Sequence, residues 1–108
     1  MELSHPFPKR LKLARRNKGL TQTELGILIG FNIDVSSSRM NHYEKGRHIP
    51  DFDTAKRIAA ELDVPVAYFY CESEEIAELL LSYHKLTSEQ QQRVFAFIRE
   101  QNEAPSED

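Results

Sequence analysis

Leu20 to Gly46, LTQTELGILIGFNIDVSSSRMNHYEKG, is the stretch whose reading decides the fold. Thr21 with Glu24 three residues on has the pattern of a capping box, in which each side chain satisfies one free amide at a helix start. A short helix is therefore predicted from TQTEL to Gly30, with Leu25 and Ile29 turned to the core. Gly26 costs about 1 kcal/mol against Ala inside a helix, so another helix is expected to approach closely there. A second short helix is predicted over SSSRMNHYEK, ended by Gly46. Ser36 has the chemistry of its N-cap, with Asp34 as the alternative. Met40 and Tyr43 would face the core, while Ser37, Ser38, Asn41 and His42 would share the opposite face.

Between the two helices lies FNID, residues 31–34, a longer turn than such a pair needs. Ile27 and Leu28, with Leu25 and Ile29, make the first helix apolar nearly all round. Phe31 and Ile33 are the local partners available, so FNID is expected to fold back over Ile27 and Leu28 as a small satellite cluster.

Outward from this pair, the chain reads as support. Pro6 and Pro8 suit the first turn of a helix. Phe7, Leu11 and Ala14 then form one apolar stripe, with Leu13 off it and half exposed. Lys9, Arg10, Lys12, Arg16 and Lys18 surround the stripe, and Gly19 supplies the stop. After Pro50, Asp51 caps a helix whose stripe is Phe52, Ala55, Ile58, Ala59 and Leu62. Val64-Pro65 breaks it, and VAYFY makes a short fifth helix contributing Val66 and Phe69. Ser73 caps EEIAELLLSYHK, and Thr87 with Gln90 forms a capping box before SEQQQRVFAFIREQ. Ile76, Leu79, Leu80, Leu81, Tyr83, Val94, Phe95, Phe97 and Ile98 are too many apolar residues for two isolated helices. They either cover the first five helices or pair with a second chain. From Asn102 onward a disordered tail is expected.

Composition sets the remaining bounds. The 108 residues make one domain with a small appendage, and 40% apolar content suffices for a modest core. No run approaches the roughly 18 apolar residues of a transmembrane helix, and MELSHPFPKR has no apolar secretory segment. The lone Cys71 cannot form an internal disulfide, which fits a reducing cytoplasm. It reads as a small, partly buried apolar residue. The net charge of −3 divides unevenly. Residues 1–57 hold 11 Lys and Arg against 6 Asp and Glu, whereas residues 58–108 hold 3 against 11. The basic half suits a phosphate backbone; the acidic half should face away from it, or toward another protein. No phosphate-cradling glycine loop, paired metal ligands or Ser/His/Asp signature is present, so neither catalysis nor a cofactor is expected.

The pattern TQTEL, Gly30, VSSSRMNHYEKG and Pro50 resembles the XRE family of bacterial and phage helix-turn-helix regulators, which includes the Cro and lambda-type repressors. The resemblance covers about Pro8 to Tyr70. It implies a five-helix lambda-repressor-like DNA-binding domain over residues 6–70; with the two helices capped at Ser73 and Thr87 following as a C-terminal hairpin over residues 73–101, the expected fold is all-α. By position, Ser37, Ser38, Asn41 and His42 match the family's base-reading residues, and Gln22 its phosphate-binding Gln. Arg39, Lys45 and Arg47 would make phosphate or flanking contacts. Arg15 and Glu44 match an ion pair that fixes the first helix to the third. Two departures stand out: the inserted FNID, and Gly26, Ile27 and Leu28 where the family carries Ala and polar residues. Each contact residue alone would also suit a solvated surface; as a set at family spacing they point to DNA.

The resulting expectation is a dimeric, sequence-specific repressor of double-stranded DNA in the cytoplasm. Its dimer interface is placed on Leu80, Tyr83, Val94, Phe95, Phe97 and Ile98. The alternative is an antitoxin-type regulator whose acidic C-terminal half binds a protein partner.

Overall fold

Among the described residues, five of the six α-helices begin at a side chain that caps a free amide. The computed structural model describes residues 5–103. Among them are six α-helices and one 3-10 turn, with no strand. Helix α1 spans Phe7–Asn17 with Pro8 in its first turn, and Gly19 at φ +76° lets the chain reverse after it. Helix α2, Gln22–Leu28, starts from the Thr21–Glu24 capping box, both of whose hydrogen bonds form.

Helix α3 spans Ile33–Glu44, and this corrects the expected cap. Asn32, not Ser36 or Asp34, is the N-cap; its Oδ1 accepts from the Asp34 amide at 3.0 Å. The FNID segment is thus no extended loop. It supplies the cap and the first residues of a helix one turn longer than predicted. Ser36 could have capped chemically, but packing claims it instead. It is fully buried, and its hydroxyl donates to the Thr23 carbonyl at 2.7 Å. Opposite it sits Gly26, where a Cβ would lie 1.9 Å from Ser36 Oγ. The close approach expected at Gly26 is therefore present, and Ser36 makes it.

The satellite cluster does not close. Phe31 is half-buried against the core, with Tyr43 as an aromatic neighbour, but Ile33 is 68% exposed and Ile27 and Leu28 remain open. Starting the helix at Ile33 points that side chain outward rather than back over α2.

Helix α4, Phe52–Leu62, is capped by Asp51, whose side chain accepts from the Thr54 amide, and closes at Asp63 in the left-handed region. Ala55, Ile58, Ala59 and Leu62 are buried as expected. Phe52 is not: at the first residue of the helix it clears the core, remains exposed, and packs its ring near the Lys56 ammonium. The 3-10 turn Val66–Tyr70 inserts Phe69 against Phe7, with ring centroids 4.9 Å apart. Tyr68 is buried beside it, while Val66 is only half-buried. The core is thus built from α1 to α4 and the turn, around Phe7, Leu11, Leu25, Met40, Ile58 and Phe69.

Helix α5, Glu74–His84, begins at Ser73 as expected and docks on this core through Ala77, with Leu81 packed alongside. Arg10 fixes its start. That guanidinium, only 3% exposed, donates to the Cys71 carbonyl at 3.0 Å and to Glu74 Oε1 at 3.0 Å, and lies over the Tyr68 ring. Cys71 itself is half-buried against the core.

Helix α6, Ser88–Glu103, behaves differently. It starts from the Thr87–Gln90 capping box and buries none of its side chains. The radius of gyration is 17.0 Å and the longest dimension 63 Å, against about 13 Å for the radius of a closed domain of 100 residues. The two C-terminal helices are present, but they do not fold back into a packed hairpin within one chain. Asn102 and Glu103 form the last residues of α6 rather than a tail, and residues 104–108 lie outside the described residues.

Candidate nucleic-acid interface

The interface is built on α2 and α3, and its rigidity comes from behind. Arg15 on α1 grips Glu44 on α3 through two bonds, Nε to Oε2 at 2.6 Å and Nη2 to Oε1 at 3.0 Å. The third guanidinium nitrogen donates to the Leu20 carbonyl at 2.8 Å. With side chains 11% and 3% exposed, both charges are nearly out of water. A planar fork meeting a carboxylate this way fixes orientation as well as distance. The expected ion pair is therefore in place, and it holds α1, the α1–α2 turn and α3 together.

Gln22 extends the same network. Its Nε2 donates to Glu44 Oε1 at 3.1 Å and to Asn41 Oδ1 at 3.2 Å. The residue expected to meet a phosphate is thus half-buried and turned toward α3, where it orients Asn41. At the other end of α2, Arg57 from α4 donates to the Ile29 carbonyl at 3.1 Å, satisfying an acceptor left free by the helix end. Sequence reasoning passed over Arg57, as it did Arg10 and Asn32. An Arg two turns into an amphipathic helix gives no local signal of what it will reach.

With Ser36, Met40 and Tyr43 buried, the opposite face of α3 is free. Ser37, Ser38 and His42 lie exposed on it, and Asn41 is half-buried through its tie to Gln22. All four base-contact candidates therefore belong to one face, as the spacing predicted. Arg39 is exposed on a flank with its guanidinium 5.2 Å over the Phe31 ring, so Phe31 steers it. Lys45 caps the helix C-terminus and Arg47 follows it; both are exposed. Tyr43 stacks on His48, ring centroids 5.9 Å apart, at the edge of a shallow depression shared with Arg39 and His42. Burial pushes the Tyr43 hydroxyl above its ordinary range, against the opposing pull of Arg39. Tyr43 therefore stays neutral in this role.

The six expected dimer-interface residues lie on α5 and α6, apart from α2 and α3. Leu80 and Val94 are half-buried, while Tyr83, Phe95, Phe97 and Ile98 are exposed, Phe97 at 61%. Ile76 and Leu79 are exposed beside them on α5.

Two helices joined by a tight turn, the second polar on its outer face and braced from behind by a buried ion pair, define a helix-turn-helix DNA-binding domain. Comparison agrees with that class. The helix-turn-helix family model matches residues 11–69. A solved structure described as transcriptional regulator BswR superimposes with a TM-score of 0.83 at 41% identity, covering 87% of this chain and 93% of that one. No curated protein matches significantly. The chain belongs to the XRE-type helix-turn-helix family and is a DNA-binding transcriptional regulator rather than an enzyme. No described helix is long and apolar enough to cross a membrane.

Proposed function

We propose that this regulator is a repressor that binds a pseudo-palindromic operator as a homodimer in the cytoplasm. In this reading Ser37, Ser38, Asn41 and His42 hydrogen-bond base edges in the major groove, where each base pair presents a distinct donor and acceptor pattern. Arg39, Lys45 and Arg47 face the phosphates, which set position and affinity rather than sequence, while Gln22, bonded to Glu44, orients Asn41. Residues 6–70 form the reading domain, and residues 73–101 join two chains through Leu80, Tyr83, Val94, Phe95, Phe97 and Ile98. The observation that carries the reading is the exposed polar face of α3, held rigid by the Arg15–Glu44 pair. A half-site spacing near one helical turn of DNA, about 34 Å, is expected of such a dimer.

Competition binding at fixed salt separates the two kinds of contact. Ser38→Ala and His42→Ala should each reduce preference for the operator over random DNA by about 1–3 kcal/mol. Arg47→Ala should instead weaken binding to both sequences and flatten the salt dependence. Equal losses on both DNAs from all three variants would contradict the assignment.

The apolar side chains left open on α6, set among Glu89, Glu100 and Glu103, favour a second reading in which the acidic half holds a different protein, as an antitoxin holds its toxin. A chain that sediments as a monomer at micromolar concentration, with residues 72–108 present or deleted, would remove the homodimer and leave that alternative.

A further inference from the structure

The earlier start of α3 brings onto the recognition helix a residue that the sequence pattern had left in a turn. Asp34, Ser38, Asn41 and Lys45 follow at i, i+4, i+7 and i+11, one outward stripe opposite Ser36, Met40 and Tyr43. Asp34 is exposed, one turn nearer the helix N-terminus than Ser38. Its amide is occupied by the Asn32 cap, but its carboxylate has no ion-pair partner among the described residues. An unpaired carboxylate on a face that approaches phosphates is repelled unless a donor in the groove receives it. The first residues of a recognition helix reach the base edges.

Resting on the reading of α3 as the base-reading helix, we infer that Asp34 is a specificity determinant that accepts a hydrogen bond from the exocyclic amine of a cytosine in each half-site. The chemistry selects the base. A carboxylate only accepts, and cytosine offers the major groove a lone N4 donor. Guanine presents two acceptors, adenine sets the N7 acceptor beside its N6 donor, and thymine offers an acceptor and a methyl, so each is disfavoured opposite a negative charge. The same charge lowers affinity for DNA that lacks the cytosine, so Asp34 discriminates partly by repulsion.

Selection of bound duplexes from a random pool by the full chain, run in parallel for wild type, Asp34→Asn and Asp34→Ala, tests this. Wild type should enrich a cytosine at one symmetric position in both half-sites, with roughly five- to tenfold discrimination, the lower part of the range for a base-edge contact. Asp34→Asn keeps the size and the helix-start chemistry but can donate and accept together, so the enriched base should shift from cytosine toward adenine. Asp34→Ala should lose the preference at that position alone, and bind random DNA more tightly than wild type does. Identical motifs from wild type and Asp34→Asn, at matched helicity by circular dichroism, would overturn the assignment of Asp34 while leaving α3 as the reader. A wild type that enriches no motif would overturn base reading by α3, and this inference with it.

Discussion

The α2–α3 unit and the α5–α6 segment solve opposite problems. Through the middle and end of α3 the apolar residues are used up inside: Met40 and Tyr43 are buried, Ser36 is locked to Thr23, and polar side chains face out, while Ile33 and Val35 stay exposed at the helix start. On α6 the pattern is inverted: Phe95, Phe97 and Ile98 face out, and nothing is buried. A soluble monomer rarely leaves such a surface open without a use for it. The first unit closes its core within one chain, although Ile27, Leu28 and Ile33 stay open at its turn, and its outward polar face is free for the proposed recognition. The second leaves its apolar side chains exposed, the surface that the proposed second copy would cover.

The largest expected effect strikes the first unit. Removing one member of a nearly buried ion pair leaves the other charge uncompensated, which costs about 3–5 kcal/mol. Glu44→Ala should lower the urea midpoint by a corresponding amount, abolish DNA binding, and leave Gln22 without its anchor. A loss below 1 kcal/mol would mean the brace behind α3 is not structural.

Gly26→Ala comes next. Ala favours a helix, yet here its Cβ would strike Ser36 Oγ, and overpacking of this kind costs about 1–3 kcal/mol. Removing that hydroxyl with Ser36→Ala should recover part of the loss. A double-mutant cycle in thermal melts should therefore show the two changes coupled; simple additivity would contradict the packing argument.

Charging the exposed apolar surface should act on assembly instead. Phe97→Glu should shift the chain to monomer in sedimentation, yet leave the melting of the α1–α5 core nearly unchanged, since α6 buries nothing in it. A fall in core stability would show that α6 packs on its own chain.

The smallest effect is a pH dependence at the joint between the two regions. Hydrogen bonds from Lys9, and then from Arg10, hold the Glu74 carboxyl below its ordinary range. With the folded value depressed, the contribution is present above the unfolded value and lost as pH falls through the folded one. Glu74→Gln should therefore be slightly less stable than wild type at neutral pH and indistinguishable from it in acid. The same difference at both pH values would assign the effect to packing rather than charge.

Most of the helix starts could be read from the chain, because their signals are local. Thr21 with Glu24, Asp51, Ser73 and Thr87 with Gln90 are caps with fixed spacing, and all of them form. Arg15 and Glu44 came from family resemblance alone, since 29 positions separate them in sequence. The start of α3 was not legible. Three residues with capping chemistry, Asn32, Asp34 and Ser36, lie within one turn, and the packing of Ser36 against Gly26 and its bond to the Thr23 carbonyl are tertiary contacts that the local pattern does not carry. Phe52 fitted the stripe by spacing but sits beyond the end of the core it should have joined. For α6, apolar content showed that a surface must be covered and could not show whether the cover belongs to the same chain.

The central claim, one polar reading surface and one surface completed by a second copy, meets its most direct test in the mass of the complex formed on selected DNA. Native mass spectrometry of the full chain with a duplex carrying the enriched motif should give two 12.5 kDa chains per duplex, and Phe97→Glu should reduce this to one on a single half-site. One wild-type chain per duplex, with a motif lacking two-fold symmetry, would contradict the account.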